Sequence, residues 1–345
     1  MRDYFLQVEE VDWNFTPLGK NGVTGDDFTD DENVFVQRVD TADVCRVGAV
    51  YKKLRYVEYS DAGFVRQVVQ PESHGIQGPT LRAIQGDVIR VTLKNAASVP
   101  VTLHPHGVPY TKEHEGALAD DGTPASAKKD DRVEPGATYT YIWHATSGPG
   151  SADVSSIVFA YHSHADEIAD PNAGLFGAIV IADPRCADEE TARALDVDRE
   201  FVLVLNVMDE NVSPLLDANI AEFCPAFAGD VDELKGDDDF GESNLMHAMN
   251  GFVYGNLGGL TAVQHERVRW HLIGIGTEVD IHTIHWHGNV VDEDGHTRDV
   301  VELFPMTFRS VDMVAENAGK YLIHCHVHDH LSAGMNTFYL VAAKN

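Results

Sequence analysis

His324-Cys325-His326-Val327-His328-Asp329-His330-Leu331-Ser332-Ala333-Gly334-Met335 is the stretch that decides how this chain is read. Cys325 offers a thiolate, His330 an imidazole five residues on, and Met335 a thioether five further. These are the Cys, His and Met parts of a blue-copper ligand set, in which a weak axial sulfur tunes the potential. In a strand, side chains alternate between faces, so Cys325 points one way while His324 and His326 point the other. One tripeptide then serves two metal sites and joins them by a short covalent route for electrons.

Upstream lie three more His-x-His pairs: His104 with His106, His162 with His164, and His285 with His287. Together with His324 and His326 they supply eight imidazoles at period-2 spacing. A run of that size suits a cluster of three copper ions that takes four electrons and reduces dioxygen to water. The blue-copper imidazole still missing is His282, in His282-Thr283-Ile284-His285-Trp286-His287-Gly288, which stands an odd number of residues from His285 and so faces the other side.

In this order the four groups resemble the motifs HxHG, HxH, HxxHxHG and HCHxxxHxxxxM of the multicopper oxidases. Position by position, the resemblance implies type 1 ligands at His282, Cys325, His330 and Met335, and type 2 ligands at His104 and His285. His106, His162, His164, His287, His324 and His326 then hold the type 3 pair, for four copper ions per chain: one type 1, one type 2 and two type 3. Further blocks are similar to the six-domain ferroxidases of the ceruloplasmin and hephaestin type: Glu9 to Trp13, Gly78 to Leu81, His104 to Lys112, Glu242 to Phe252, and Leu303-Phe304-Pro305. The chain resembles one pair of their domains, but is shorter and carries a full ligand set within that pair.

At 345 residues the length fits two domains, 1–184 and 200–345, joined by a charged linker 185–199. Short β-rich runs such as Val88 to Leu93, Tyr139 to Trp143 and Phe201 to Leu205, divided by turn residues, predict an all-β chain of two cupredoxin-like Greek-key sandwiches. Asp121-Gly122 and Asp294-Gly295 predict tight turns, and Glu189 to Leu195 is the best helix candidate.

Ala160 to His164 followed by Gly174 to Ala182 parallels Leu322 to His326 followed by Gly334 to Ala342, an internal duplication. Where the second half has Cys325, His282 and Met335, the first has Ser163, Val101 and Leu175, so only the second keeps a type 1 set. Each half carries half of the cluster, on equivalent edges, and a head-to-tail contact between copies must close into a ring. Resemblance to small two-domain laccases implies a homotrimer with clusters at its interfaces. It also implies catalytic roles for Asp299, an acid near the cluster, and for Tyr110, a nearby ring able to give up an electron.

Weaker candidates surround these. Glu278 and Asp280 precede His282 and are expected to contact a cationic or phenolic reductant, and His247 is expected at the border of the type 1 pocket. Glu113-His114-Glu115 offers a labile cation site, and Met246, Met249, Met306 and Met313 mark either a cuprous-ion path or core filler.

A formal charge of −30 excludes nucleic acid as a partner and attracts cations. No apolar run is long enough to span a bilayer. Of Cys45, Cys186 and Cys224, at most two can pair, and spacing does not choose which. A disulfide, copper on a thiolate, and a start without a signal-peptide core together predict a secreted or periplasmic protein with its leader removed. The expected reaction is one-electron oxidation of a small reductant (a phenol, Fe(II), Cu(I) or Mn(II)) with O2 as acceptor. The alternatives are a two-domain copper nitrite reductase, which places its blue copper in the first domain, and a non-catalytic copper-binding cupredoxin pair.

Overall fold

A computed structural model of the chain describes residues 1–277 and 279–344. Glu278 therefore lies outside the described residues. The first half forms two facing sheets. One runs in the order Val50–Tyr59, Arg2–Asn14, Val88–Asn95, Thr138–His144, and the other Leu81–Ile84, Phe176–Ala182, Ser156–His162, His104–Pro105. The second half repeats the plan with strands Leu245–Met249, Arg199–Asp209, Arg267–Gly274, Phe308–Val314, Val291–Glu293 and His296–Arg298 opposite Thr261–Val263, Asn336–Ala342, Gly319–Cys325, His282–Trp286 and Val300–Leu303. In both, the opening strand pairs parallel on one side and antiparallel on the other.

Alternation explains the strands with one wet face, such as Val88–Asn95, where Ile89, Val91 and Leu93 fill the first core. Phe176–Ala182 is instead buried at every position. Ile179 and Ile181 belong to the first core, whereas Phe176, Ala178 and Val180 join a separate core with Val202, Val204, Met208 and Ile273 of the second half. A strand covered on both faces needs an unbroken apolar run, which is how Phe176–Ala182 reads.

Polar groups on this seam are paired. Arg269, fully buried, donates to Asp312 (2.7 Å) and to Ser155 and Ser156 (2.7 and 2.9 Å) across the two halves. Glu200 accepts from Arg82 (2.7 Å) and Ser156 (3.0 Å), with His271 Nε2 at 3.1 Å. Lys53 and Glu210 form a fully buried ion pair between the halves. A seam this apolar and this well bonded opposes relative motion of the two sandwiches.

Three local expectations resolve differently. Glu189 to Leu195 is not helical: the Asp188 carboxylate captures the N–H groups of Glu190 and Thr191, and Ala187 bridges to Ala194, so a side-chain-capped turn wins over a short helix. Asp294-Gly295 does form a two-residue hairpin turn with both φ angles positive. Asp121-Gly122 is a bend in an irregular stretch, with Asp121 paired to Lys112 and Lys128. Cys45 bonds to Cys224, their Cα atoms 5.6 Å apart, and Cys186 is free. Among the described residues no helix is long and apolar enough to cross a membrane.

Candidate metal centres

Strand His282–Trp286 lies between Gly319–Cys325 and Val300–Leu303, with Ile284 opposite Cys325 and His285 opposite His324. The pleat therefore sends His282 and Cys325 inward and the His285 and His324 pair to the other face. His282, Cys325 and His330 gather with their ligand atoms within 4.8 Å of one another, all buried. Cys325 Sγ lies 4.0 Å from His282 Nδ1 and 3.7 Å from His330 Nδ1. His330 arrives on the short helix His328–Ser332, and the Met335 N–H donates to its carbonyl at 2.8 Å. Met335 is fully buried in the same core as Cys325.

Asp280 is not free to meet a reductant. Its carboxylate accepts from the N–H groups of Val207 (2.6 Å) and Thr277 (2.8 Å) and stands 3.5 Å from His282 Nε2. A carboxylate behind a ligating imidazole fixes the ring's orientation and tautomer. Burial alone would raise the Cys325 thiol and lower His282. The pairing with His282 and His330 brings the thiol down to about 6, and Asp280 with Cys325 raises His282. A dry pocket with a ready thiolate, two imidazoles and a thioether fits copper.

The eight His-x-His imidazoles form two quartets built alike. His104 sits opposite His162 in the first half as His285 sits opposite His324 in the second. His104 Nδ1 bonds the Glu115 carbonyl (2.8 Å) and His285 Nδ1 that of Asp299 (3.0 Å), while His162 and His324 each bond a carbonyl one residue on at 2.9 Å. With Nδ1 so engaged, Nε2 is left as the metal-binding atom. The Nε2 atoms of His106 and His162 converge to 3.1 Å, and those of His287 and His324 to 3.2 Å. His164 and His326 complete the quartets, their rings 5.1 Å from His104 and 4.8 Å from His324. Burial, then the neighbouring imidazoles, pushes His106 down to about 4 and His162 to about 3, and lowers His287 and His324 in the same order. His104 is likewise brought to about 4. Neutral imidazole is the form that binds metal.

Within one chain, the histidines of the second quartet do not line the cavity at the first. Among the described residues, no group of three metal-capable side chains draws on both halves. The first quartet instead opens on a cavity of about 450 Å³ whose far wall is Ile275, Gly276, Thr277 and Met306. In the first half the position matching Cys325 is Ser163, whose hydroxyl donates to Asp170 (2.5 Å), and Val101 and Leu175 are core residues. A blue-copper site there, as the nitrite reductase alternative requires, has no ligands.

Asp299 touches the second quartet, with Oδ1 3.5 Å from His285 Nδ1 and its side chain 69% exposed. Tyr110 is half-buried, its ring edge-on to His104 at 5.9 Å. Glu113-His114-Glu115 does not assemble as a cation site among the described residues, and the Glu115 carboxylate is paired with Lys112. Met246, Met249 and Met313 are core, while Met306 lines the cavity. His247 packs on His330, ring centres 5.4 Å apart, and Phe35 stands edge-on to His247 at 5.9 Å. Phe35 belongs to no motif, and nothing in the local sequence marks it.

Two family models, each described as multicopper oxidase, match residues 53–185 and residues 238–345. The chain is 42% identical to "Ferroxidase HEPHL1" of Mus musculus over 99% of its own length and 29% of that protein. It is 41% identical to hephaestin of Rattus norvegicus (99% and 29%) and 37% identical to ceruloplasmin of Homo sapiens (100% and 32%). The chain thus spans about three tenths of the length of these relatives. Among solved structures, one titled "Crystal structure of multicopper oxidase" superposes with a TM-score of 0.61 at 20% identity, covering 99% of this chain and 89% of that one. The blue copper oxidase from Nitrosomonas europaea gives 0.59 at 18% identity, covering 99% and 86%, so the fold is shared.

Proposed function

The chain belongs to the multicopper oxidases, and from that premise we propose that it is an oxidase coupling one-electron oxidation of a small reductant to reduction of dioxygen to water. The observation that carries this reading is the back-to-back placement of two ligand groups on one strand: Cys325 with His282 and His330, and its neighbour His324 with His285 and His287. When bound, copper at these groups would supply single-electron uptake at one end and four-electron delivery to dioxygen at the other. His282, Cys325, His330 and Met335 would hold the type 1 ion. His104 and His285 would hold type 2, and the remaining six histidines the type 3 pair.

The protein's own part is to connect and to supply protons. The Cys325 backbone leads directly to His324 and His326. Asp299, exposed beside His285, is suited to deliver protons from solvent, and Tyr110 beside His104 is suited to give an electron. A cavity at the first quartet that none of the second quartet's histidines line, together with an apolar seam between the sandwiches, supports completion of each cluster by a second copy, in a homotrimeric ring. The Cys45–Cys224 bond supports an extracytoplasmic setting. Ferrous iron is the favoured reductant: a relative at 42% identity is named a ferroxidase, and a charge of −30 draws cations.

Copper analysis is expected to give about four ions per chain, with a blue band that bleaches under Fe(II) and returns in air. About two ions per chain, or a colourless protein, would exclude the reading.

A further inference from the structure

The segment from Glu32 to Val47 leaves the first sandwich and lies on the second. Cys45 is bonded to Cys224, the Ala226 N–H donates to Asp40 Oδ1 (2.8 Å), and the Ala228 N–H to the Ala42 carbonyl (3.1 Å). Cys45 and Cys224 share a small apolar core with Leu216, Ile220 and Phe240. From Phe240 the chain runs on through helix Asp238–Ser243 into strand Leu245–Met249, which carries His247. Phe35, on helix Asn33–Val36, thereby meets the His247 ring.

The result is a file of four rings. Centre-to-centre steps are 5.9 Å from Phe35 to His247, 5.4 Å from His247 to His330 and 4.9 Å from His330 to His282. Exposure falls inward, from partly exposed Phe35 through His247 at 9% and His330 at 5% to His282 at 0%. A flat organic ring approaching His330 along this file meets Phe35 and then His247 before it reaches His330, whereas a metal cation is small enough to engage a single imidazole nitrogen.

We propose that residues 32–47, stapled by Cys45–Cys224, cap the reductant side of the blue-copper group, with Phe35 as the specificity-determining side chain that admits a small cation and excludes a phenol. This rests on the assignment of His282, Cys325, His330 and Met335 to the type 1 copper at which the reductant is oxidised.

The test compares kcat/KM for Fe(II) and for a dimethoxyphenol in the copper-loaded protein. Phe35→Ala is expected to raise phenol turnover by about tenfold or more while Fe(II) changes by less than about threefold, and Phe35→Trp to lower phenol turnover. Parallel changes for the two reductants would overturn the proposal. A second measurement needs no turnover: modification of His247 by diethyl pyrocarbonate, followed by mass spectrometry. Faster modification is expected in Phe35→Ala and in the Cys45→Ser, Cys224→Ser double variant, and unchanged modification would overturn the cap. Faster modification in a protein that oxidises neither reductant would keep the cap and overturn only the oxidase assignment.

Discussion

Cys325 and His324 are adjacent in one strand, yet they serve different ligand groups: Cys325 sits with His282 and His330, and His324 with His285 and His287. A single peptide unit therefore separates the two candidate metal centres, and changes at either residue are expected to be separable by spectroscopy.

Cys325→Ser is expected to remove the blue band and the turnover while copper content falls by only about one ion per chain, because the histidine quartets do not depend on the thiolate. Loss of all copper would mean that the two groups are not independent sites.

The proposed completion of clusters between copies predicts complementation. A chain carrying His104→Ala and His106→Ala, and another carrying His285→Ala and His287→Ala, should each be inactive alone. Co-assembled in equal amounts, they should recover about a quarter of the parent activity, since one interface in four then pairs two intact quartets. No recovery in mixed rings of verified composition would count against shared clusters.

Asp299→Asn is expected to lower kcat and KM for the reductant together by about a hundredfold, leaving kcat/KM for the reductant unchanged, as befits a group that moves protons at the oxygen-reducing end. Stopped-flow bleaching of the blue band should stay fast. A slowed bleaching step would move Asp299 to the wrong half of the reaction.

The seam gives a pH dependence. Burial would raise the Glu200 carboxyl, but His271 and Arg82 outweigh it and hold the group well below the usual carboxylate range. Its contribution to stability is present above the unfolded-state value of about 4.3 and is lost as pH falls from there. Arg82→Met, by breaking a buried pair, is expected to cost about 3–5 kcal/mol at neutral pH and to move the acid-induced loss to higher pH. Denaturant midpoints measured from pH 7 down to pH 2 check both.

Much of this arrangement was legible because strand parity is local. The period of two that separates His324 from Cys325, or His282 from His285, needs no tertiary information, and the duplicated register follows from the repeat around Ser163 and Cys325. What the chain concealed depends on distant partners. Asp280 reads as a loop carboxylate until the Val207 and Thr277 amides are seen to occupy it. The pairing of Cys45 with Cys224, 179 residues apart, and the contact of Phe35 with His247 are set by where one sandwich leans on the other. Glu189 to Leu195 misled because Asp188, just outside it, decides its conformation.

The doubly covered strand Phe176–Ala182 bears on assembly geometry. By gluing one sandwich to the other it acts as a mitre joint, and in the proposed ring it would fix the angular step from each copy to the next. In a head-to-tail circle that step sets how many members close it, so enlarging Ala178 at the glue line is the substitution expected to change the copy number without touching any surface between subunits.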